Sequence, residues 1–203
     1  MQVEERKILI ADPTALGLFG LAMVTLVASS QKLGWTTGTS LIIPWAIFLG
    51  ACAQLVASLA DAKKNNVFGA TAFGAYAFFW FAVAMSWMVQ GGVFGAKLAE
   101  AADSKQLAVA FVGYLIFTAF MTVGATATNK VLLAIFILID FLFLGLALTG
   151  FGIAPEISHK VAGWSEFGIA LLSFYGSGAS VLNHHFNKIV LPIGKPLNWI
   201  QKG

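Results

Sequence analysis

Three polar side chains lie in the middle of stretches that are otherwise apolar, and a fourth lies just before such a stretch. The three side chains within apolar stretches are Asp140, Gln54 and Tyr76, and the one that precedes such a stretch is Asp12. A carboxylate is costly to bury in an apolar medium, so a carboxyl group in such a place usually faces a cavity or a partner and marks function. Asp140 and Asp12 are therefore candidate functional residues.

Each of these side chains also has a structural interpretation. Asp140 could be a protonated or hydrogen-bonded group at a contact between two helices. Asp12 is followed by Pro13, and this pair is typical of an N-cap with proline at the first helical position. Gln54 could hydrogen-bond across helices or offer its amide to an anion, and a buried Tyr76 needs a hydrogen-bond partner. On the sequence alone, both interpretations stay open.

The composition excludes most other chemistry. Of 203 residues, 59% are hydrophobic and 10% are charged, whereas a soluble domain has about 25% charged residues. So little charge cannot cover a water-exposed surface, which argues against a soluble enzyme and a disordered chain. One cysteine excludes a disulfide framework, and the net charge of +3 comes without a basic patch interleaved with aromatics. We expect no enzymatic activity, cofactor, metal or nucleic-acid partner.

Six stretches are long and apolar enough, or nearly so, to cross a bilayer as a helix, which takes about 20 residues. They run approximately over residues 14–30, 41–60, 68–89, 107–128, 131–153 and 161–182. The Asn129–Lys130 connection is so tight that spans four and five must form an antiparallel hairpin. We predict an all-α integral membrane protein with six transmembrane helices in one bundle, a single domain over residues 1–203.

Lysine and arginine set the predicted orientation, because cytoplasmic loops carry an excess of them. With six spans, the termini and the second and fourth loops share one side, with eight such residues, and the other side has four. The eight are Arg6, Lys7, Lys63, Lys64, Lys130, Lys188, Lys195 and Lys202, and the four are Lys32, Lys97, Lys105 and Lys160. The N- and C-termini are therefore predicted to be cytoplasmic.

A cleaved leader peptide is the competing interpretation of the first span. Arg6 and Lys7 would form its charged segment, and Val27-Ala28-Ser29 would be its cleavage site. Cleavage would leave five spans and would place the N-terminus outside the cell.

Five segments follow one another in a recognisable order. Residues 12–18 read Asp-Pro-Thr-Ala-Leu-Gly-Leu, and the other segments are residues 50–54, 66–80, 162–164 and 190–194. In sequence and spacing they resemble the acetate uptake transporters, also called the succinate–acetate permease group, whose opening signature is Asn-Pro-Ala-Pro-Leu-Gly-Leu. The resemblance extends over nearly the whole chain.

This resemblance implies a plasma-membrane protein that moves acetate and similar small carboxylates, as a homo-hexamer with a pore in each protomer. It also implies a narrow hydrophobic and aromatic constriction, which maps here to Leu21, Tyr76 and Ile139. Asp12 stands where the family prefers asparagine, and a negative charge at the mouth of an anion path is adverse unless it is protonated or paired. Either Asp12 or Asp140 could carry a coupling proton.

A small anion at membrane depth loses its hydration, so donors along its path must replace that water. Thr14, Gln54 and Thr71 offer such donors, and we place Phe79 of the aromatic third span along the same path. An anion channel and a proton-coupled symport both remain open. The alternative from another class is a membrane-embedded scaffold or sensor with a vestigial pore. The short N-terminus favours a bacterial or archaeal source.

The predicted orientation can be tested by cysteine labelling. In a Cys52→Ser background, Lys64→Cys should react with a membrane-impermeant maleimide only from the cytoplasmic side. Lys97→Cys should react only from outside, because its loop lies across the membrane, and Lys105→Cys should behave in the same way. Reversed accessibility would show that the charge bias is misleading, and labelling of all three from one side would contradict the predicted spans.

Overall fold

The computed structural model describes residues 10–197 and Trp199, and within these ranges the chain forms six long helices and no strand. In chain order they are α1 Thr14–Lys32, α2 Ile42–Lys63, α3 Val67–Gln90, α4 Ser104–Ala125, α5 Lys130–Gly150 and α6 Pro155–His185. A short helix, Ala96–Glu100, lies in the connection from α3 to α4. The predicted all-helical fold is confirmed.

Five of these helices, α1 to α5, have the length and the hydropathy of membrane-spanning segments. The sixth, α6, is longer, but it carries Glu166 and is rich in serine and glycine between Ser173 and Ser180, which lowers its mean hydropathy. A sixth span therefore stays a prediction. Large apolar side chains are exposed on the outside of the bundle, Phe48 and Phe120 among them, as suits helices that face equally apolar lipid tails.

Side-chain caps explain where two of the helices begin. Asn66 accepts a hydrogen bond from the Gly69 backbone N–H (3.2 Å) at the start of α3, and Asn129 accepts one from the Leu132 N–H (2.9 Å) at the start of α5. These bonds satisfy amide groups that a helix start leaves without a partner. Because Asn129 follows closely on Ala125, the last residue of α4, α4 and α5 pack as the predicted hairpin.

Glycine residues lie at points where two helices pack closely against each other. α6 packs along both α1 and α5, and a Cβ atom at Gly145 of α5 would lie 2.7 Å from the Ser158 carbonyl oxygen of α6. Gly20 of α1 likewise lies against the Leu49 carbonyl of α2. Such backbone contacts give the van der Waals packing that holds helices together in lipid.

A methyl group added at Gly145 should force α5 away from α6. We expect Gly145→Ala to lower the free energy of unfolding by about 1–3 kcal/mol, because the crowded atoms are backbone and cannot turn aside. Gly113→Ala in α4 is the matched control, since a Cβ atom there meets nothing within 4 Å. Thermal unfolding in detergent compares the two variants, and equal melting temperatures would contradict the close contact.

Candidate functional site

A cavity of about 360 Å³ lies at the end of the bundle where α1, α3 and α5 begin and α2 and α4 end. We call it the first cavity. Its walls are mostly apolar, and its polar lining residues are Thr14, Asn66, Thr128, Asn129, Gln54 and Asp61. The sequence analysis predicts that this end of the bundle faces the cytoplasm.

Leu21, Tyr76 and Ile139 line the deep end of the first cavity. Of the lining residues on α1, α3 and α5, they are the ones furthest from the helix starts, and all three are buried. Three separate helices thus bring together the three residues predicted to form a constriction. Thr14 and Gln54, predicted to lie along the path, line the same cavity.

Gln54 is completely buried on the wall of the first cavity. Its Nε2 donates a hydrogen bond to the Gly50 carbonyl oxygen (2.8 Å), while its Oε1 has no hydrogen-bond partner among the described residues. Gly50 belongs to a π-helical stretch within α2, Ala46–Ala53, that ends immediately before Gln54. π-helical turns are rare and are frequent at functional sites. The unpaired Oε1 gives the cavity a hydrogen-bond acceptor.

Asp61 is a second buried acceptor in the first cavity, and the sequence analysis missed it. Its Oδ1 accepts a hydrogen bond from Asn66 Nδ2 (3.0 Å), and its Oδ2 has no partner among the described residues. Any side chain in place of Gly69 would collide with Asp61. The sequence offered one signal for this site, since Asn66 and Gly69 fall in a segment that resembles the transporter family. Asp61 itself precedes Lys63 and Lys64 and was therefore assigned to a loop.

Aromatic rings fill the interior beyond the first cavity. Four of them, which we call the ring cluster, are Tyr76, Phe79, Tyr114 and Phe143. Neighbouring rings in the cluster have centroids 5.0 to 6.4 Å apart. The Tyr76 hydroxyl hydrogen-bonds with the Thr118 hydroxyl (3.0 Å), and the Tyr114 hydroxyl donates to the Ala75 carbonyl oxygen of α3 (2.9 Å). Both phenols are therefore satisfied, and their rings are held in place.

A second cavity, of about 100 Å³, lies where α1, α3 and α5 end, and Phe79 of the ring cluster forms part of its wall. Its charged lining residues are Lys32 and Glu166, whose Nζ and Oε2 atoms lie 2.9 Å apart. The sequence analysis assigned Lys32 to a loop. The structure corrects this, because Lys32 is the last residue of α1 and its side chain turns inward to α6.

Asp140 lies at the contact between α4 and α5 and lines neither of these cavities. Thr122 donates a hydrogen bond to its Oδ2 (2.7 Å), and its Oδ1 has no partner among the described residues. This is the arrangement of a helix contact. A proton-carrying role for Asp140 stays a prediction that its position does not support.

Asp12 lies at the surface, and its Oδ1 accepts hydrogen bonds from the backbone N–H (3.1 Å) and the hydroxyl (2.7 Å) of Thr14. The N-cap of α1 is Pro13 and the helix begins at Thr14, so the predicted N-cap at Asp12 is wrong by one residue. Asp12 also lies 3.9 Å from Lys64 Nζ. Thr71 is exposed, because it shares the outer face of α3 with Phe78 two helical turns further on. The placement of Thr71 along the path is therefore not supported by the fold.

These features define a class of protein. The chain is a multi-pass helical membrane protein in which an apolar and aromatic segment lies between the first and second cavities. Polar linings and hydrophobic constrictions of this kind govern permeation in channels and transporters. Residues 10–197 contain no cluster of three or more histidine, cysteine, aspartate or glutamate residues that could hold a metal ion.

Comparison with known proteins identifies the family. Residues 1–197 match the GPR1/FUN34/yaaH family, and the chain belongs to it. It is 34% identical over 187 residues to the succinate-acetate/proton symporter SatP of Escherichia coli (strain K12), which covers 92% of this chain and 96% of that protein. It is 33% identical over 208 residues to acetate permease A of Emericella nidulans, covering 94% of this chain and 67% of that protein.

A solved structure gives the same result. The fold matches one described as the structure of the bacterial acetate channel SatP, with a TM-score of 0.85 and 32% sequence identity. The match covers 92% of this chain and 100% of that chain. The resemblance found in the sequence is thereby confirmed.

Removing one partner of the Tyr76–Thr118 hydrogen bond should cost more than removing both. Thr118→Val leaves the Tyr76 hydroxyl unpaired in an apolar site, so we expect a loss of about 1–3 kcal/mol in the free energy of unfolding. Adding Tyr76→Phe removes that unpaired group and should recover much of the loss. Unfolding in detergent measures the cycle, with Thr118→Ser as the control that keeps a hydroxyl, and additive losses would contradict the bond.

Proposed function

We propose that this chain transports acetate and similar small carboxylates across the cell membrane. The path runs from the first cavity, past Leu21, Tyr76 and Ile139, through the ring cluster to the second cavity. The observation that carries this proposal is that the two cavities lie at opposite ends of the same helices, with the ring cluster between them. The names of the symporter, the permease and the channel to which the chain is similar support the choice of substrate.

The polar groups of the first cavity favour the protonated acid as the species that crosses. Gln54 Oε1 and Asp61 Oδ2 are acceptors without a partner in the described part of the chain, and they repel a carboxylate but can accept the O–H of a carboxylic acid. The apolar middle of the path favours the same species, because an isolated charge is costly to bury. Both arguments support transport of acetate with a proton over conduction of the bare anion.

The remaining features of the proposal concern assembly. We infer six membrane spans, with α6 as the sixth, because α6 packs along α1 and α5 as a full member of the bundle. The charge bias supports cytoplasmic termini for this single transmembrane domain, residues 1–203. The family resemblance supports a homo-hexamer in the plasma membrane. A scaffold with a vestigial pore is disfavoured, since it has no need of buried acceptors that lack partners.

Enlarging Leu21 should close the path. In liposomes that contain purified protein, we expect Leu21→Trp to reduce uptake of labelled acetate by at least about tenfold, because the narrowest part of a pore controls permeation. Phe19→Trp is the matched control, since Phe19 lies on the same helix but is exposed, and it should leave uptake unchanged.

The same liposomes separate the two modes of transport. An imposed pH gradient, acidic outside, should drive acetate inside to above its external concentration if a proton crosses with the substrate, and faster than in protein-free liposomes, where only acetic acid that crosses the lipid contributes. Equal uptake by the Leu21→Trp and wild-type proteins, with both correctly assembled, would remove Leu21 from the path. No acetate uptake by the wild-type protein under any gradient would overturn the proposed function itself.

A further inference from the structure

The second cavity holds a buried ion pair that the path described so far does not use. Lys32 Nζ donates a hydrogen bond to Glu166 Oε2 at 2.9 Å, and the two side chains are only 11% and 2% exposed. An ammonium group has three N–H donors, and among the described residues Glu166 accepts from one of them. Lys32 therefore has capacity for a second acceptor in the same cavity.

Lys32 and Glu166 are the charged residues among those that line the second cavity. The other residues that line the second cavity are apolar, aromatic or neutral polar groups, such as Ser86 and Trp87 from α3. α5, which also packs on α6, contributes Leu146. The charged group that faces Glu166 in this cavity is therefore Lys32 of α1. Protonation of Glu166 would leave the positive charge of Lys32 uncompensated.

We propose that the second cavity is a carboxylate-binding site in which the substrate replaces Glu166 on Lys32. A proton from the aqueous side first neutralises the Glu166 carboxylate, and the Lys32 ammonium then binds the substrate carboxylate. Glu166 next passes its proton to the substrate carboxylate. The substrate, now a neutral carboxylic acid, dissociates from Lys32 and moves to the ring cluster. The ionised Glu166 pairs again with Lys32, so one proton and one carboxylate have left the cavity together.

The dimensions and walls of the cavity fit this role. Its volume of about 100 Å³, compared with about 360 Å³ for the first cavity, suits a small carboxylate. Phe79 and Phe111 give an apolar wall for the alkyl end. This inference rests on the proposed function, since it assigns the entry site and the proton donor for the same transport.

Binding of acetate to the purified, full-length protein in detergent tests the site. At alkaline pH, ionised Glu166 occupies Lys32 in the wild type, so acetate affinity should fall by about tenfold for each pH unit above the titration of Glu166. Glu166→Gln frees Lys32 at every pH and should bind acetate at alkaline pH at least about tenfold more tightly than the wild type. Glu156→Gln, at an exposed acid of the same helix, is the control and should match the wild type.

Two further variants test whether the gain in acetate affinity depends on Lys32 and on competition from the Glu166 carboxylate. The double variant Lys32→Gln/Glu166→Gln keeps polar side chains without buried charge, and it should lose the binding that Glu166→Gln gains. Glu166→Asp keeps a carboxylate opposite Lys32 and is used where the neutral variants do not fold. Because the aspartate side chain is one methylene shorter, its carboxylate reaches Lys32 less well, so acetate should bind several-fold more tightly at alkaline pH than in the wild type.

The outcomes separate this inference from the proposed function. Unchanged acetate affinity in folded Glu166→Gln at alkaline pH, or in Glu166→Asp where Glu166→Gln does not fold, would overturn this inference and leave a structural ion pair. A gain that persists in the double variant would also overturn it by placing the site elsewhere. In liposomes, Glu166→Gln should abolish accumulation driven by a pH gradient. Failure of wild-type uptake would instead overturn the proposed function.

Discussion

Water is excluded from the hydrocarbon core of a bilayer, so a polar group that enters it needs a partner within the protein. Helices meet this demand for the backbone, and the caps at Asn66 and Asn129 meet it where helices begin. Inside the bundle the same demand pairs Tyr76 with Thr118 and Asp140 with Thr122. Among the described residues, Gln54 Oε1 and Asp61 Oδ2 lack a partner and belong to side chains that line the first cavity, where a solute can supply one.

The two cavities differ in the kind of partner they offer. The first presents acceptors, Gln54 Oε1 and Asp61 Oδ2, and the second presents an ammonium that is already neutralised by a neighbouring carboxylate. Between them the ring cluster offers neither a charge nor a free hydroxyl, because both of its phenols are hydrogen-bonded. A small carboxylate that moves between the cavities is therefore best stabilised as an anion beside Lys32 in the second cavity and as a neutral acid in the ring cluster. In the first cavity it is best stabilised as a hydrogen-bond donor.

Helices with an apolar sequence were predictable because lipid imposes length and hydropathy on them directly. Leu21, Tyr76 and Ile139 were predictable only through the family resemblance, since nothing in their spacing places three separate helices side by side. The positions of Asp61 and Lys32 inside the bundle were not predicted, and one physical reason explains both. Both lie in the last turn of a helix, where hydropathy cannot distinguish a side chain that enters a loop from one that turns back into the bundle.

Lys32 also bears on how a transporter can use a cation without retaining its substrate. A lone ammonium in a low-dielectric cavity would hold a carboxylate strongly, and release would be slow. A buried partner acid removes this difficulty, because Glu166 competes for the same ammonium whenever it is ionised. Glu166 releases Lys32 when it takes up a proton. When Glu166 is ionised again, it displaces the substrate from Lys32. Because Glu166 and the substrate present the same carboxylate group to Lys32, the exchange between them is nearly balanced, which is the condition for rapid turnover.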